Sequence, residues 1–302
     1  MVQGIGACYA AAMSQTIPPR AWSLLLALAV LWGGSFLFTA LALPEVSPVV
    51  VVWSRVTIAA VALWAVVAAL RVALPRGRAA LATLVVMAVL NNVIPFTLIA
   101  MAQRDMPAGL ASILNATTPV WGVVLALVLL RERTGALRLV GMVFGVAGVV
   151  VLMGAPGAAE LWPMALVLGA TLSYALSGLW ARRIGRDGIA PLVAAAGQVT
   201  ASALLLAPFV AWQGMPALPS GPVVASLLAL GLASTALAYV IFFRIIALAG
   251  GQNVMLVTLL IPPVAILLGI LVLDEALLAR HGVGLVILLA GLALIDGRLF
   301  RR

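Results

Sequence analysis

AGLASILNATTPVWGVVLALVLLRE, residues 108–132, and GQNVMLVTLLIPPVAILLGILVLDE, residues 251–275, decide how this chain is read. Each is an apolar run with a proline near its middle, Pro119 or Pro262, and a glutamate thirteen residues further on, Glu132 or Glu275. At about 1.5 Å per residue, a helix of this length is roughly 35 Å long and crosses the ~30 Å hydrocarbon core of a bilayer. The two runs lie 143 residues apart. Leu, Val and Ala alone would not produce that agreement, because proline and glutamate take part in it.

Working outward at the same offset, Pro48 meets Pro191, Val56-Thr57 meets Val199-Thr200 and Leu84 meets Leu227. Phe96 meets Tyr239, Gly141 meets Gly284 and Gly148 meets Gly291. The first and sixth spans align at 142, with Ser35 on Ser177 and Leu37 on Leu179. Apolar runs of spanning length fall at Trp22–Leu43, Val49–Leu70, Ala79–Met101, Ala108–Leu130, Leu137–Gly154, Trp162–Ala181, Ala190–Trp212, Pro222–Leu248, Asn253–Leu273 and Gly282–Phe300. Breakers such as Pro44, Pro107, Gly188 and Gly250-Gly251 separate them. The fold class expected is an all-α polytopic membrane protein of ten transmembrane helices. Each half holds an odd number of spans, so the second half is inverted relative to the first. Two inverted five-helix repeats around a central cavity are an architecture of secondary transporters. The expected division is a cytoplasmic tail over 1–21, a first repeat over 22–154, a linker over 155–161, a second repeat over 162–300 and a short end at 301–302.

Composition agrees. Of 302 residues 65% are hydrophobic and 8% charged, with a mean hydropathy of +1.27, against about 25% charged in soluble domains. The net charge of +9 is carried by arginine alone, with no lysine. Arg20, Arg71, Arg76, Arg78, Arg131, Arg133, Arg138, Arg182, Arg183, Arg186, Arg298, Arg301 and Arg302 fall in one set of loops, and the opposite set holds Arg104 and Arg280. That asymmetry is a topology signal, not a nucleic-acid patch, and predicts both termini on the cytoplasmic side of a bacterial inner membrane. Cys8 and His281 stand alone, so a disulfide framework and a metal centre are not expected, nor is any cofactor. Residues 1–21 lack the basic and apolar regions of a signal peptide. Without Lys there is no phosphate-binding loop for ATP.

The first span carries Leu31-Trp32-Gly33-Gly34-Ser35-Phe36, the second carries Arg55, and the fourth and ninth carry the proline–glutamate pairs. In this order, over residues 20–300, the chain resembles the ten-span EamA-type branch of the drug/metabolite transporter superfamily, and within it bacterial aromatic amino-acid exporters. The sixth span departs from the pattern, with Ser173-Tyr174 in place of the Trp-Gly pair. The resemblance implies a basket of helices around a central cavity, and export or exchange of amino acids, other metabolites or drugs.

Polar residues inside spans are expensive and gather where they line a cavity or pair between helices. Trp32, Ser35, Asn91, Asn92, Asn115, Tyr174, Ser177, Tyr239, Asn253 and Thr258 are the neutral candidates for substrate contact. Amides and hydroxyls suit an amino acid's polar groups, and the rings suit an apolar side chain. Each has a structural reading beside it, as helix–helix glue or packing. Arg55, about 10 Å into its helix, either snorkels to the interface or faces the cavity and holds a carboxylate. Arg244, near the end of the eighth span, is a second cationic candidate. Pro95, Pro119, Pro262 and Pro263 free backbone carbonyls and act either as gating kinks or as fixed bends. The glycine stripe Gly141, Gly145, Gly148 reads as close packing or, alternatively, as a dimer contact, leaving a monomer or weak homodimer as the expected state.

No acid falls near a bilayer centre, which favours facilitated diffusion or exchange; the alternative is proton-coupled efflux of drugs or other metabolites. No His/Asp/Glu cluster or nucleophile is assembled for an intramembrane enzyme, so no catalytic residue is expected. A channel would want a charged ring or a carbonyl filter, and neither is visible. The partners expected are a small-molecule substrate, an amino acid or related metabolite, and the lipid bilayer, with no nucleic acid.

Overall fold

Proline and glycine open the helices and apolar runs fill them, as the breakers in the sequence require. The structure, a computed structural model, describes residues 18–75, 77–131, 134–154, 158–214, 218–276 and 278–296. The N-terminal tail up to residue 17, Glu132, residues 155–157 of the linker and the C-terminal arginines lie outside them. The helices are α1 (Pro19–Ala42), α2 (Pro48–Ala69), α3 (Arg78–Ala102), α4 (Ala108–Val128), α5 (Ala136–Met153), α6 (Ala158–Trp180, with Arg182–Arg186 after it), α7 (Pro191–Gln213), α8 (Gly221–Ala249), α9 (Val257–Leu273, after a turn Gly251–Val254) and α10 (Ala279–Asp296). Among the described residues nine are long and apolar enough to cross a membrane, and α9 falls one residue short. Pro19, Pro48, Pro191 and Pro222 sit in the first turn of their helices, where the missing N–H costs nothing.

The packing repeats under exchange of the halves. α2 packs against α7 and α5 against α10, each pair made of equivalent helices. α1 packs on α8 and α9, and α6 packs correspondingly on α3 and α4. α2 also meets α8, as α7 meets α3. A contact pattern that maps onto itself in this way is the signature of two inverted repeats. The α5–α10 crossing shows how close such pairs come. A Cβ on Gly148 would lie 2.7 Å from the Leu288 nitrogen, and one on Gly291 2.7 Å from the Gly141 carbonyl. The glycine stripes therefore face each other within the chain, and Val143, Val146, Val283 and Val286 point outward.

Two irregularities were not visible in the apolar pattern. α3 and α8 each contain a π-helical stretch, Val89–Val93 and Ala229–Leu237, at overlapping positions of the repeat. Such stretches are frequent at functional sites. α4 is broken at Ala116-Thr117, so Pro119 lies in the first turn of a second segment instead of inside a helix. The Asn115 carbonyl that Pro119 leaves free accepts the Thr118 hydroxyl at 2.9 Å. The corresponding break in α9 falls at Met255-Leu256, ahead of Pro262 and Pro263, which sit in continuous helix.

Candidate substrate cavity

A cavity of about 1050 Å³ runs up the centre of the bundle. At the arginine-rich end its lining is exposed, with Leu130, Arg138, Arg182 and Gly185 at the mouth. At the other end the lining is buried, including Thr39, Val51, Val52 and Gln103. Hydrogen bonds tie that end shut. Gln103 Nε2 donates to the Phe36 carbonyl at 2.9 Å. The Glu275 carboxylate accepts the first backbone amides of α4, Ala108 N–H at 2.5 Å and Gly109 N–H at 2.9 Å. A carboxylate there meets the positive end of the helix and satisfies donors that have no partner within it. Glu45, in the α1–α2 turn, accepts from Ser220 Oγ at 2.6 Å and from Ser220 N–H at 2.7 Å. These two donors hold its carboxyl below the usual carboxylate range.

Arg55 lies at the middle of the cavity wall and is 9% exposed. Its Nε donates to Thr235 Oγ1 at 2.7 Å, and Nη2 reaches the Ser234 carbonyl at 3.5 Å. Cζ lies 3.8 Å from the centre of the Phe96 ring. No carboxylate among the described residues pairs with it, and Ser234 Oγ beside it is buried without a partner. The π turn makes this reach possible. Thr235 Oγ1 in turn donates to the Leu230 carbonyl five residues back, at 2.7 Å. Gly231 lets α8 approach the Arg55 turn of α2, because a Cβ there would stand 3.2 Å from the Arg55 carbonyl.

Across the cavity a neutral network stands in place of the cation. The Tyr239 hydroxyl donates to Asn92 Oδ1 and accepts from Asn91 Nδ2, both at 3.0 Å. Asn91 Nδ2 also donates to Gln198 Oε1 at 3.2 Å, and Asn91 Oδ1 accepts Ser177 Oγ at 3.1 Å. Asn92 Nδ2 donates to Ser202 Oγ at 3.1 Å. Rings fill the space between. Trp32 and Phe242 lie 5.6 Å apart, Phe96 and Tyr174 6.5 Å, and Tyr239 and Phe243 6.4 Å.

Of the residues nominated from sequence, Trp32, Ser35, Arg55, Asn91, Asn115, Pro119, Tyr174, Ser177, Tyr239 and Thr258 line the cavity together. Asn92 is fully buried, one layer behind Tyr239. Asn253 bonds back to the Ala249 carbonyl at the arginine-rich end, away from the lining. Arg244 is exposed on α8 and does not reach the cavity, since it lies one turn from the helix end where its long side chain finds water. Pro95, Pro262 and Pro263 also stand outside the lining. Gln198 and Gln103 were missed, although an amide inside an apolar run carries the same signal as Asn91. Asp296, in the last residue of α10, is the described acid that lines the cavity.

The chain is 26% identical over 285 residues to the uncharacterized transporter YvbV of Bacillus subtilis (strain 168), covering 93% of each chain. It is 28% identical over 224 residues to Protein PecM of Dickeya dadantii (strain 3937), covering 72% of this chain and 75% of that one. A solved crystal structure superposes with a TM-score of 0.68 over 93% of this chain and 99% of the other; at 20% identity this likeness speaks for the fold. The model of the EamA-like transporter family matches twice, over residues 20–154 and 161–296. With both halves matched, the chain belongs to the EamA-like transporter family, within the drug/metabolite transporter superfamily.

Proposed function

We propose that this transporter carries amino acids, aromatic or neutral, through the central cavity by alternating access without ATP. The observation that carries the reading is Arg55, a buried guanidinium with no carboxylate partner among the described residues and with Nη1 left free of described contacts. A substrate carboxylate supplies what that cation lacks, with Ser234 Oγ as a further donor. The aromatic lining accepts an apolar or aromatic side chain. Asn115 Oδ1, buried without a partner, is an acceptor for an ammonium group, which the rings also favour. The reading extends to both termini in the cytoplasm of a bacterial cell, from the arginine asymmetry. On that orientation the cavity mouth faces inward. The lack of a described carboxylate at the cavity centre favours facilitated diffusion or exchange over proton coupling.

Flux into proteoliposomes containing only this protein tests the reading. Saturable uptake of radiolabelled amino acids without an ion gradient is expected, competed by the unlabelled compound and not by its methyl ester. Equal competition by acid and ester removes Arg55 from recognition. Flux that appears only under a proton gradient overturns the uncoupled mechanism.

A further inference from the structure

A second site lies on the outside of the bundle beside the cavity mouth, with which it shares Leu179 and Arg182. Leu176, Leu179, Trp180, Arg182, Arg183 and Arg186 on α6, with Leu90 on α3, enclose a groove of about 400 Å³ at the arginine-rich end. Helical spacing puts Leu176, Trp180 and Arg183 on one face of α6, the face of Trp162, which is 61% exposed. Tyr174 and Gly178, which line the cavity, lie on the opposite face. The groove therefore opens to lipid. Its upper part is apolar and its lower part cationic.

Three features in it lack a polar or acidic partner among the described residues. The Trp180 indole N–H is buried without a hydrogen-bond partner. Arg183 lies over the Trp180 ring, with Cζ 3.9 Å from its centre, and stays exposed. No described carboxylate pairs with Arg182, Arg183 or Arg186. The repeat also shows that the fold does not demand them. At the offset of 142 that relates α6 to α1, Trp180, Arg183 and Arg186 correspond to Phe38, Leu41 and Pro44, none of which has an N–H donor or a charge on its side chain.

We propose that this groove binds an anionic phospholipid. Its phosphate lies on Arg183 and Arg186, with Arg182 beside them, because guanidinium donors match phosphate oxygens in charge and geometry. A glycerol ester carbonyl accepts the Trp180 N–H at the membrane interface, where tryptophan has one apolar and one wet side. An acyl chain covers Leu90, Leu176 and Leu179. A basic pocket between helices at the positively charged end of a membrane protein is where anionic headgroups bind.

Native mass spectrometry of the detergent-purified protein, titrated with phosphatidylglycerol and with phosphatidylcholine, tests this. Preferential binding of phosphatidylglycerol is expected, weakened roughly 30-fold in R183Q/R186Q and about fivefold in W180F. The variant R20Q/R71Q removes equal charge from the same end and is expected to stay within about twofold of the parent. Equal binding of the two lipids, or an equal loss in R20Q/R71Q, overturns the proposal in favour of bulk charge. Equal binding of soluble glycerol phosphate overturns it in favour of a plain phosphate site. W180F changes no charge and keeps an aromatic ring there, so it gives an answer even if the double variant does not fold.

Discussion

Arg55 in the first half and Gln198 in the second occupy the same place in the repeat, 143 residues apart, and so do Asn91-Asn92 and Ser234-Thr235. Each long side chain crosses to the π turn of the other half. Arg55 reaches Thr235 and the Ser234 carbonyl, and Gln198 reaches Asn91. The backbone relation is kept while the chemistry is not. In the second half the amide finds a complete neutral network with Tyr239, Asn92 and Ser177. In the first half the cation is left without an anion among the described residues. On the proposed function, the inverted repeat holds one scaffold twice, with one copy holding the bundle together and the other offered to the substrate.

The largest expected effect breaks the first-half member. Removing one partner of a desolvated charge pair costs about 2–5 kcal/mol in binding, so R55Q is expected to lower saturable uptake by about 100-fold in proteoliposomes. Its unfolding temperature is expected to hold or rise, because a buried cation without an acid contributes little to stability. If R55Q transported normally and unfolded earlier, the roles assigned to the two halves would have to be exchanged.

The second-half member is expected to do the reverse. Y239F removes the donor to Asn92 Oδ1 and an acceptor for Asn91 Nδ2, leaving the buried Asn92 oxygen without that donor and the half-buried Asn91 amide with Gln198 alone as acceptor. It is expected to destabilise the protein by about 1–3 kcal/mol, read from thermal unfolding in detergent. The KM for the transported solute is expected to change much less than in R55Q.

Where the halves are alike in chemistry as well as backbone, they are expected to respond alike. Gly148 and Gly291 are repeat partners on α5 and α10, and each faces backbone at 2.7 Å from where a Cβ would stand. Both G148A and G291A force the helices apart, and each is expected to lose about 1–3 kcal/mol in unfolding. A clear difference between them would show that the crossing is less symmetric than its geometry.

A smaller effect attaches to Glu275, which caps α4 from the end of α9. E275A is expected to cost about 1 kcal/mol in thermal unfolding, with E275Q recovering part of it because the amide oxygen still accepts.

How much of this the residues disclose depends on range. The spans and the repeat follow from hydropathy and from a constant offset, both properties of the chain taken one residue at a time. The equivalence of Arg55 with Gln198 is present in the same offset. What the offset does not carry is that each reaches across to the other half, as Arg55 does to Thr235, 180 positions away. That choice belongs to the packing of α2 on α8. The π turns are likewise hidden, because Leu, Val and Ala fill an α and a π turn equally well. Arg244 and Arg55 look alike as cations in spans; depth and rotation about the helix axis separate them, and hydropathy reports only depth.

The smallest expected effect concerns a contact that the two halves make differently. Glu45 in the α1–α2 turn accepts two hydrogen bonds from Ser220 at the start of α8, while its counterpart in the α6–α7 turn, Asp187, accepts one from the Thr83 hydroxyl of α3, at 2.6 Å. The Ser220 hydroxyl and then its backbone N–H lower the folded pKa of Glu45 from an ordinary value of 4.5. A depressed carboxyl pKa adds stability above the unfolded pKa, and that stability is lost as pH falls through the folded value. Because Glu45 is fully exposed, solvent screens the contribution and the acid limb is expected to be shallow. Melting temperatures measured from neutral pH down through pH 4.5 are expected to fall slightly more in the parent than in S220A, which lacks the stronger donor. Parallel curves would mean that the turn is tied to α8 by the backbone N–H alone, and that this difference between the halves has no energetic weight.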